Sequence, residues 1–230
     1  MAFSHIKAVL WDLDNTLYRF SEDFVDHCNQ AAAQTFCLLK PDLLPEEALS
    51  LARESYQRYK FSGNIFLEQY DVSYADYHFA FHERIDVADT IYDPQTLAHL
   101  KALTHLEHRV VTNASRHWAQ RAINHIGLGD FFEPHHVTAM EDVHFIPKAR
   151  GKDMIEKACE SLNIDAEDIA IVDDLQRNLV LPKEMGLTTI LVHPHQDEGI
   201  VQSHIDFVAD DLETVICRLA AKGSFSLDIL

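Results

Sequence analysis

Short apolar runs alternate with amphipathic stretches along most of the chain. Four runs have the length and composition of buried parallel strands, and they are Ile6 to Trp11, His108 to Thr112, Ile169 to Val172 and Leu187 to Val192. Helical spacing of apolar positions marks Asp93 to Leu106, Ser115 to Ile126, Gly151 to Leu162 and Asn178 to Met185. This alternation predicts an α/β fold built on a doubly wound, Rossmann-like parallel sheet.

The stretch between residues 18 and 92 departs from this pattern. It contains successive helical patterns without strands between them, at Glu22 to Leu39, Pro45 to Tyr59, Ile65 to Tyr70 and Tyr74 to Arg84. All seven tyrosines and seven of the thirteen phenylalanines fall here, which predicts a separate core or an aromatic surface. We therefore predict a core domain of residues 1–17 and 93–230, and a helical cap domain of residues 18–92 inserted after the first strand.

Charge limits the classes of partner. The formal net charge is −18 at pH 7, so we expect no general attraction to a nucleic acid polymer or to an anionic membrane. An anionic ligand would need a local cation, either a metal ion or a placed lysine. We therefore expect a small ligand.

The cysteines and the apolar runs bear on the compartment. The cysteines are scattered without a CxxC pair, at Cys28, Cys37, Cys159 and Cys217, which is typical of reduced, buried thiols. No secretory signal is visible, and no apolar run approaches the roughly 20 residues of a membrane span. These features predict a cytoplasmic location. The oligomeric state is left open.

Polar and charged residues stand where the predicted strands end. In chain order they are Asp12, Asp14, Thr112, Asn113, Lys148, Asp173 and Asp174. Asp12 and Asp14 would project together, because residues i and i+2 of an extended segment point the same way. Open parallel sheets bind their ligands at this carboxyl edge.

Each of these elements has an ordinary explanation when taken alone. The first aspartates could form an Asx turn, Asn113 could cap a helix, and the later acidic pair could be a solvated turn. Lys148 could be a surface lysine, with Arg150 and Lys152 as neighbouring competitors. Their order on successive α/β units is a much stronger signal than any one of them.

The chemistry that fits this set is phosphoryl transfer. Asp12 would attack phosphorus as a carboxylate nucleophile, and Asp14 would protonate the leaving oxygen and then activate water. The Thr112 hydroxyl and backbone N–H groups at the following helix would bind phosphate oxygens, with Asn113 beside them. Lys148 would supply positive charge to the phosphoryl group.

Carboxylates that crowd together need a cation. We expect Mg²⁺, held by Asp12, the Asp14 backbone carbonyl, Asp173 and Asp174, because oxygen-only ligands suit this ion. Histidines offer a weaker metal hypothesis, at His135 and His136 and in the loop containing His193, His195, Asp197 and Glu198. With fifteen histidines in the chain, such groupings are expected by chance.

These elements resemble the motifs of the haloacid dehalogenase (HAD) superfamily of phosphatases. The matching residues are Asp12, Asp14 and Thr16 of a DxDxT motif, then Thr112, Lys148, Asp173 and Asp174. The resemblance implies that residues 18–92 form a C1-type cap. It also favours Asp174 for direct metal ligation, with Asp173 binding directly or through water and Asn178 supporting either carboxylate.

A narrower resemblance is to the pyrimidine 5′-nucleotidase branch. It rests on DLDNTLY, on VVTNASRHWAQRAINHIGLGDFFE and on IAIVDDLQRNLVLPKEMGLTTILV. The resemblance implies a nucleoside monophosphatase for substrates such as UMP or CMP, with cap aromatics as candidates for base stacking at Phe24, Tyr56, Tyr59 and Phe66.

Three alternatives stay open. The first is a phosphatase for small sugar phosphates or phosphoglycolate, or one of broad range. The second is a haloacid dehalogenase, which Asp14 and the later acidic pair argue against because carbon–halogen hydrolysis needs no proton donor to oxygen and no metal. The third is a non-catalytic phosphate-binding module, which the complete set of catalytic residue types argues against.

Overall fold

The computed structural model describes residues 3–59, 61–160, 162–193 and 201–221. The chain forms two compact units, one of Met1–Arg19 with Tyr92–Leu230 and the other of Phe20–Ile91. None of the helices formed by the described residues is both long and apolar enough to cross a lipid bilayer.

The larger unit is built on a parallel sheet. The strands of the described chain are β1 Ala8–Trp11, β2 Arg19–Phe20, β3 Thr90–Ile91, β4 Glu107–Val111, β5 Val137–Thr138, β6 Ile169–Asp173, β7 Thr188–Val192 and β8 Phe207–Ala209. Six of these described strands form one parallel sheet in the order β5-β4-β1-β6-β7-β8, and β2 pairs with β3 separately. The predicted α/β fold with a doubly wound parallel sheet is confirmed.

Strand β1 lies at the centre of this sheet. It pairs with β4 on one side and with β6 on the other, and all four of its residues are buried. Burial on both faces explains why its sequence is a continuous apolar run rather than an alternating one. The strands on its two sides come from different halves of the chain, so the carboxyl end of β1 lies at the topological switch point where such sheets bind ligands.

The helices of the described chain follow the predicted order. They are α1 Phe24–Leu39, α2 Pro45–Tyr59, α3 Asn64–Gln69, α4 Tyr74–His82, α5 Pro94–Lys101, α6 Arg116–His125, α7 Asp153–Cys159, α8 Val180–Glu184 and α9 Leu212–Ala220. Local sequence sets several of their starts. Ser115 caps α6 by accepting the Trp118 N–H at 3.1 Å, and Asp93 caps α5, which begins with Pro94.

Some boundaries differ from the sequence-based expectation. Helix α5 ends at Lys101 rather than Leu106, and α8 begins at Val180 rather than Asn178. Pro182 has no N–H to bond to the carbonyl of Asn178, so the chain before α8 is a 3₁₀ turn. Strands β2, β3, β5 and β8 were not predicted, since strands of two or three residues show no periodicity. Helix α9 was not predicted either.

The smaller unit has an aromatic core of its own. Phe36 stacks on Phe66 with ring centroids 4.1 Å apart, and Tyr77 packs against Phe36 at 5.9 Å. Phe66 is fully buried, so the expectation that it stacks on a base is wrong. Tyr59 is 47% exposed and stays a candidate.

Candidate active site

A buried lysine joins two carboxylates at the carboxyl ends of β1 and β6. Lys148 Nζ lies 2.5 Å from Asp12 Oδ1 and 2.6 Å from Asp173 Oδ2. The lysine is 0% exposed, so the alternative of a solvated surface lysine is wrong. The competitor Lys152 lies at the surface, 3.7 Å from Glu184. Lys148 is the cation that the fold brings to the strand ends.

The charges at this edge are unbalanced. Burial raises the pKa of Asp12 well above its ordinary value, Lys148 opposes that rise, and the carboxylates of Asp173, Asp174 and Asp14 add to it. Burial works against the charge of Lys148, but Asp12 and Asp173 outweigh it and raise the pKa of the ammonium. Lys148 therefore stays charged, and its single ammonium stands beside the carboxyl groups of Asp12, Asp173 and Asp174.

The orientation of Asp12 is fixed by its neighbours. Its Oδ1 accepts a hydrogen bond from Lys148, and its Oδ2 accepts one from the Thr16 hydroxyl at 3.2 Å. Its backbone N–H donates to the carbonyl of Val172 at 2.9 Å, which continues the β1–β6 pairing by one residue. The carboxylate is thus held at the strand end, and it is 5% exposed.

The carboxylate of Asp14 faces different partners. Its Oδ1 accepts hydrogen bonds from the Tyr18 hydroxyl and from Trp118 Nε1, the latter at 2.8 Å. Burial raises the pKa of Asp14, while the hydrogen bonds from Tyr18 and Trp118 and the positive charge of Lys148 lower it in part. Asp12 and Asp14 therefore have separate surroundings, although they are two residues apart.

Thr112 and Asn113 follow β4 directly. Thr112 is fully buried, and its Oγ1 accepts the Ala114 N–H at 3.0 Å. The Asn113 Oδ1 accepts the backbone N–H of Lys148 at 3.0 Å. Asn113 thus ties the segment that carries Lys148 to the end of β4.

Two backbone N–H groups at the start of α6, where phosphate binding was expected, have partners within the protein. The Arg116 N–H donates to both carboxylate oxygens of Glu141, at 2.9 and 3.1 Å. The Trp118 N–H is used by the Ser115 cap. Because protein groups already satisfy these two donors, the prediction is wrong for them.

Asp173 and Asp174 follow one another at the end of β6, and the side chain of Asp173 is held by hydrogen bonds. Asp173 Oδ1 accepts hydrogen bonds from the Leu175 N–H at 3.0 Å and from Asn178 Nδ2 at 2.9 Å. Asn178 thus supports Asp173, where the sequence left both carboxylates open. Asp174 is 3% exposed beside it.

Within the described ranges, the group of side chains with metal-binding geometry consists of Asp12, Asp173 and Asp174. One carboxylate oxygen from each lies within 4.8 Å of the others, and all three residues are buried. Buried oxygen donors with excess negative charge fit a hard divalent cation such as Mg²⁺. The Asp14 carboxylate is not part of this group, so Asp14 could contribute only its backbone carbonyl oxygen as a metal ligand.

The described histidines that were considered as metal ligands contact other protein groups. His193 Nδ1 lies 2.9 Å from the carbonyl of Asp210 and 3.3 Å from an Arg19 nitrogen. His135 is exposed and lies 3.5 Å from Glu133, and the His136 ring accepts the Glu133 N–H at 3.3 Å. The rest of that hypothesis, on His195, Asp197 and Glu198, falls outside the described residues.

Sequence reasoning missed three residues that shape this site. Tyr18 and Trp118 hold Asp14, and Glu141 occupies the start of α6. Trp118 is 104 residues from Asp14, so no local pattern connects them. The available signals were an aromatic residue four positions after Asp14 and a tryptophan in the first turn of the helix that follows Thr112.

Comparison with known proteins identifies the family. A model of the haloacid dehalogenase-like hydrolases matches residues 6–186. The chain belongs to this family. It is therefore a HAD-like hydrolase, and the matched residues include every predicted site residue. No curated protein matches the sequence at a significant level.

Solved structures share the fold of this HAD-like hydrolase at low sequence identity. The HAD phosphatase from Thermococcus onnurineus aligns with a TM-score of 0.63 at 17% identity, over 94% of this chain and 98% of its own. CbbY from Rhodobacter sphaeroides, in complex with phosphate, gives 0.66 at 20%, over 91% and 96%. The HAD-hydrolase YfnB from Bacillus subtilis, bound to magnesium, gives 0.56 at 16%, over 94% and 99%.

Proposed function

We propose that this HAD-like hydrolase is a Mg²⁺-dependent phosphomonoesterase that works through an aspartyl-phosphate on Asp12. The observation that carries the proposal is the buried Asp12 carboxylate at the end of the central strand, paired with Lys148 and grouped with Asp173 and Asp174. The phosphate in the CbbY structure and the magnesium in the YfnB structure support the ligand classes.

The first step transfers the phosphoryl group to the protein. A carboxylate oxygen of Asp12 attacks phosphorus, and the bond from phosphorus to the substrate oxygen breaks as the new one forms. Asp14 gives its proton to the leaving oxygen, so the product departs as an alcohol. Lys148 and the Thr112 hydroxyl lie beside these carboxylates, where they can stabilise charge on the phosphoryl oxygens.

The second step frees Asp12. The Asp14 carboxylate, which lost its proton in the first step, takes one from a water molecule as the water attacks phosphorus. The bond from phosphorus to the Asp12 oxygen breaks, which releases inorganic phosphate and restores both aspartates. The raised pKa of Asp14 suits a group that must both give and take a proton.

The proposed metal ligands are carboxylate oxygens of Asp12, Asp173 and Asp174 together with the backbone carbonyl of Asp14. When bound, the ion supplies positive charge that neutralises the phosphoryl oxygens and the nucleophile. Lys148 is a single cation beside three buried carboxyl groups, which supports the need for a metal ion.

For the substrate we propose a pyrimidine nucleoside monophosphate, with UMP and CMP as the first candidates. Support comes from the three sequence segments that resemble the pyrimidine 5′-nucleotidase branch. We propose residues 18–92 as the cap that selects it, with Phe24, Tyr56 and the exposed Tyr59 as stacking candidates. A phosphatase for small sugar phosphates, phosphoglycolate or a broad range of phosphomonoesters is the second candidate.

The test of the reaction is a phosphate-release assay over nucleoside monophosphates and sugar phosphates, in Mg²⁺ and in EDTA. We expect turnover only with the metal. Asp12→Asn should remove essentially all activity, because an amide is not a nucleophile here. Exposed Asp130 provides the matched control, and Asp130→Asn should behave as wild type.

Three results would contradict the proposal. They are turnover that EDTA does not affect, absence of turnover on every phosphomonoester, and substantial activity in Asp12→Asn. Release of halide from a 2-haloacid without a metal would favour the dehalogenase instead. The ratio of kcat/KM for UMP, CMP, AMP and glucose 6-phosphate tests the narrower claim, which fails if a sugar phosphate is preferred.

A further inference from the structure

A buried triangle of hydrogen bonds joins Asp14, Tyr18 and Trp118. Trp118 Nε1 lies 2.8 Å from Asp14 Oδ1 and 3.1 Å from the Tyr18 hydroxyl oxygen. The Tyr18 hydroxyl donates to the same Asp14 oxygen. Tyr18 is 2% exposed and Trp118 is 1% exposed. Two buried aromatic donors therefore converge on one carboxylate oxygen.

Both donors are held in place by the fold. Tyr18 returns to Asp14 through a turn in which the Leu17 N–H donates to the Leu13 carbonyl at 3.1 Å and Asn15 has φ 60°. This left-handed conformation is one that asparagine tolerates better than most residues. The turn explains how a tyrosine four residues after Asp14 reaches back to it.

Trp118 reaches Asp14 from a position 104 residues later in the chain. It is the third residue of α6, and the Ser115 cap and the Glu141 carboxylate fix the start of that helix. The indole N–H donates and cannot accept a hydrogen bond. Trp118 can therefore only donate a hydrogen bond to Asp14 Oδ1, and it cannot accept the proton that Asp14 transfers.

We propose that Tyr18 and Trp118 are positioning residues that hold Asp14 Oδ1, so that Oδ2 is the oxygen that exchanges a proton with leaving group and water. The inference rests on the proposed function of Asp14. A carboxylate turns freely about its terminal bond, and proton transfer requires an oxygen within hydrogen-bond reach of the reacting atom. Holding one oxygen with two fixed donors selects the other for the reaction.

The test compares leaving groups that differ in their need for a proton. A p-nitrophenolate departs without protonation, whereas an alkoxide does not. We would measure kcat/KM, which reports the first transfer step, for p-nitrophenyl phosphate and for the fastest alkyl substrate among UMP, glucose 6-phosphate and glycerol 3-phosphate. The variants are Tyr18→Phe, which removes one hydroxyl, and Trp118→Phe, which removes the indole donor.

We expect each variant to lose about tenfold or more on the alkyl substrate, the scale of one hydrogen bond to a charged group, and less than about twofold on p-nitrophenyl phosphate. In an Asp14→Asn background, Tyr18→Phe should cause no further loss, because its effect passes through Asp14. The control is Tyr92→Phe, whose hydroxyl donates to the His125 carbonyl at 3.3 Å, and both rates should stay as in wild type.

Equal losses on both substrates would show a packing role and overturn the inference, as would unchanged rates on both or additivity with Asp14→Asn. If Trp118→Phe fails to fold, Tyr18→Phe still decides the question, since it keeps the ring. A wild-type protein inactive on all four phosphates contradicts the proposed function itself, which separates that failure from failure of the positioning role.

Discussion

The side-chain oxygen of Asn113 accepts the backbone N–H of Lys148 at 3.0 Å. This bond joins the end of β4 to the segment before α7, and these elements are far apart in sequence. It holds the Lys148 backbone beside the end of β4, and Lys148 Nζ reaches Asp12, Asp173 and the carbonyl of Val111. The Asn113 amide thus holds the backbone of the lysine whose ammonium pairs with both carboxylates.

Replacing Asn113 tests this role. Asn113→Ala removes the acceptor and leaves the Lys148 N–H without it, so we expect kcat/KM to fall about tenfold, the scale of one lost hydrogen bond in a charged site. Steady-state kinetics on the best phosphomonoester measures the change. An unchanged kcat/KM in a folded variant would mean that other contacts suffice to hold Lys148.

Removal of the lysine charge should affect folding as well as turnover. Lys148→Met leaves the carboxylates of Asp12 and Asp173 buried without their cation, and loss of one member of a buried pair typically costs about 3–5 kcal/mol. We expect a lower free energy of unfolding in EDTA, measured by urea denaturation. Mg²⁺ should raise Tm more in the variant than in wild type, because the site is more negative.

The matched control is Lys152→Met. Lys152 pairs with Glu184 at 3.7 Å on the surface, where such pairs contribute less than about 1 kcal/mol. The Lys152→Met variant should keep both wild-type stability and wild-type activity. Equal destabilisation by the two substitutions would contradict the assignment of Lys148.

Replacing Asp173 and replacing Asp174 should change the Mg²⁺ dependence of activity in different ways. Asp174→Asn removes a proposed ligand oxygen, so the Mg²⁺ concentration for half-maximal activity should rise by about 10–100-fold. Asp173→Asn also disturbs Lys148, so it should lower the maximal rate at saturating Mg²⁺ as well. Magnesium titrations of both variants distinguish these outcomes, and identical curves would show that the two carboxylates share one role.

A buried histidine should make stability depend on pH. His108 Nδ1 accepts the Trp11 indole N–H at 3.0 Å, and Nε2 lies 3.1 Å from the Leu103 carbonyl, which fixes the neutral ring. Burial lowers the pKa of His108 from 6.5 to about 4. A pKa below the unfolded value means that stabilisation is full above pH 6.5 and is lost as pH falls toward 4, by about 3 kcal/mol in total.

The measurement is the free energy of unfolding at several pH values between 7 and 4. Replacing His108 by glutamine keeps a neutral donor and acceptor, so the slope in this window should become shallower. Exposed His117 provides the control, since His117→Gln should leave the slope unchanged. A wild-type slope in the His108 variant would contradict the assignment.

Local pattern determined a large part of this protein. Apolar runs marked β1, β6 and β7, whose residues are almost all buried, because strands buried on both faces exclude most polar residues. In β4 only Val110 and Val111 continue this pattern. Polar residues at their carboxyl ends marked Asp12, Thr112 and Asp173, because parallel strands end at one edge of the sheet. Chain order alone therefore gave the fold class and the candidate site residues.

Only the tertiary structure decided how those residues divide their contacts. The structure turns Asp14 toward Tyr18 and Trp118 and buries Lys148 between Asp12 and Asp173. These contacts join residues up to 136 positions apart. No periodicity encodes them, because they depend on strand order and on the packing of helices against the sheet.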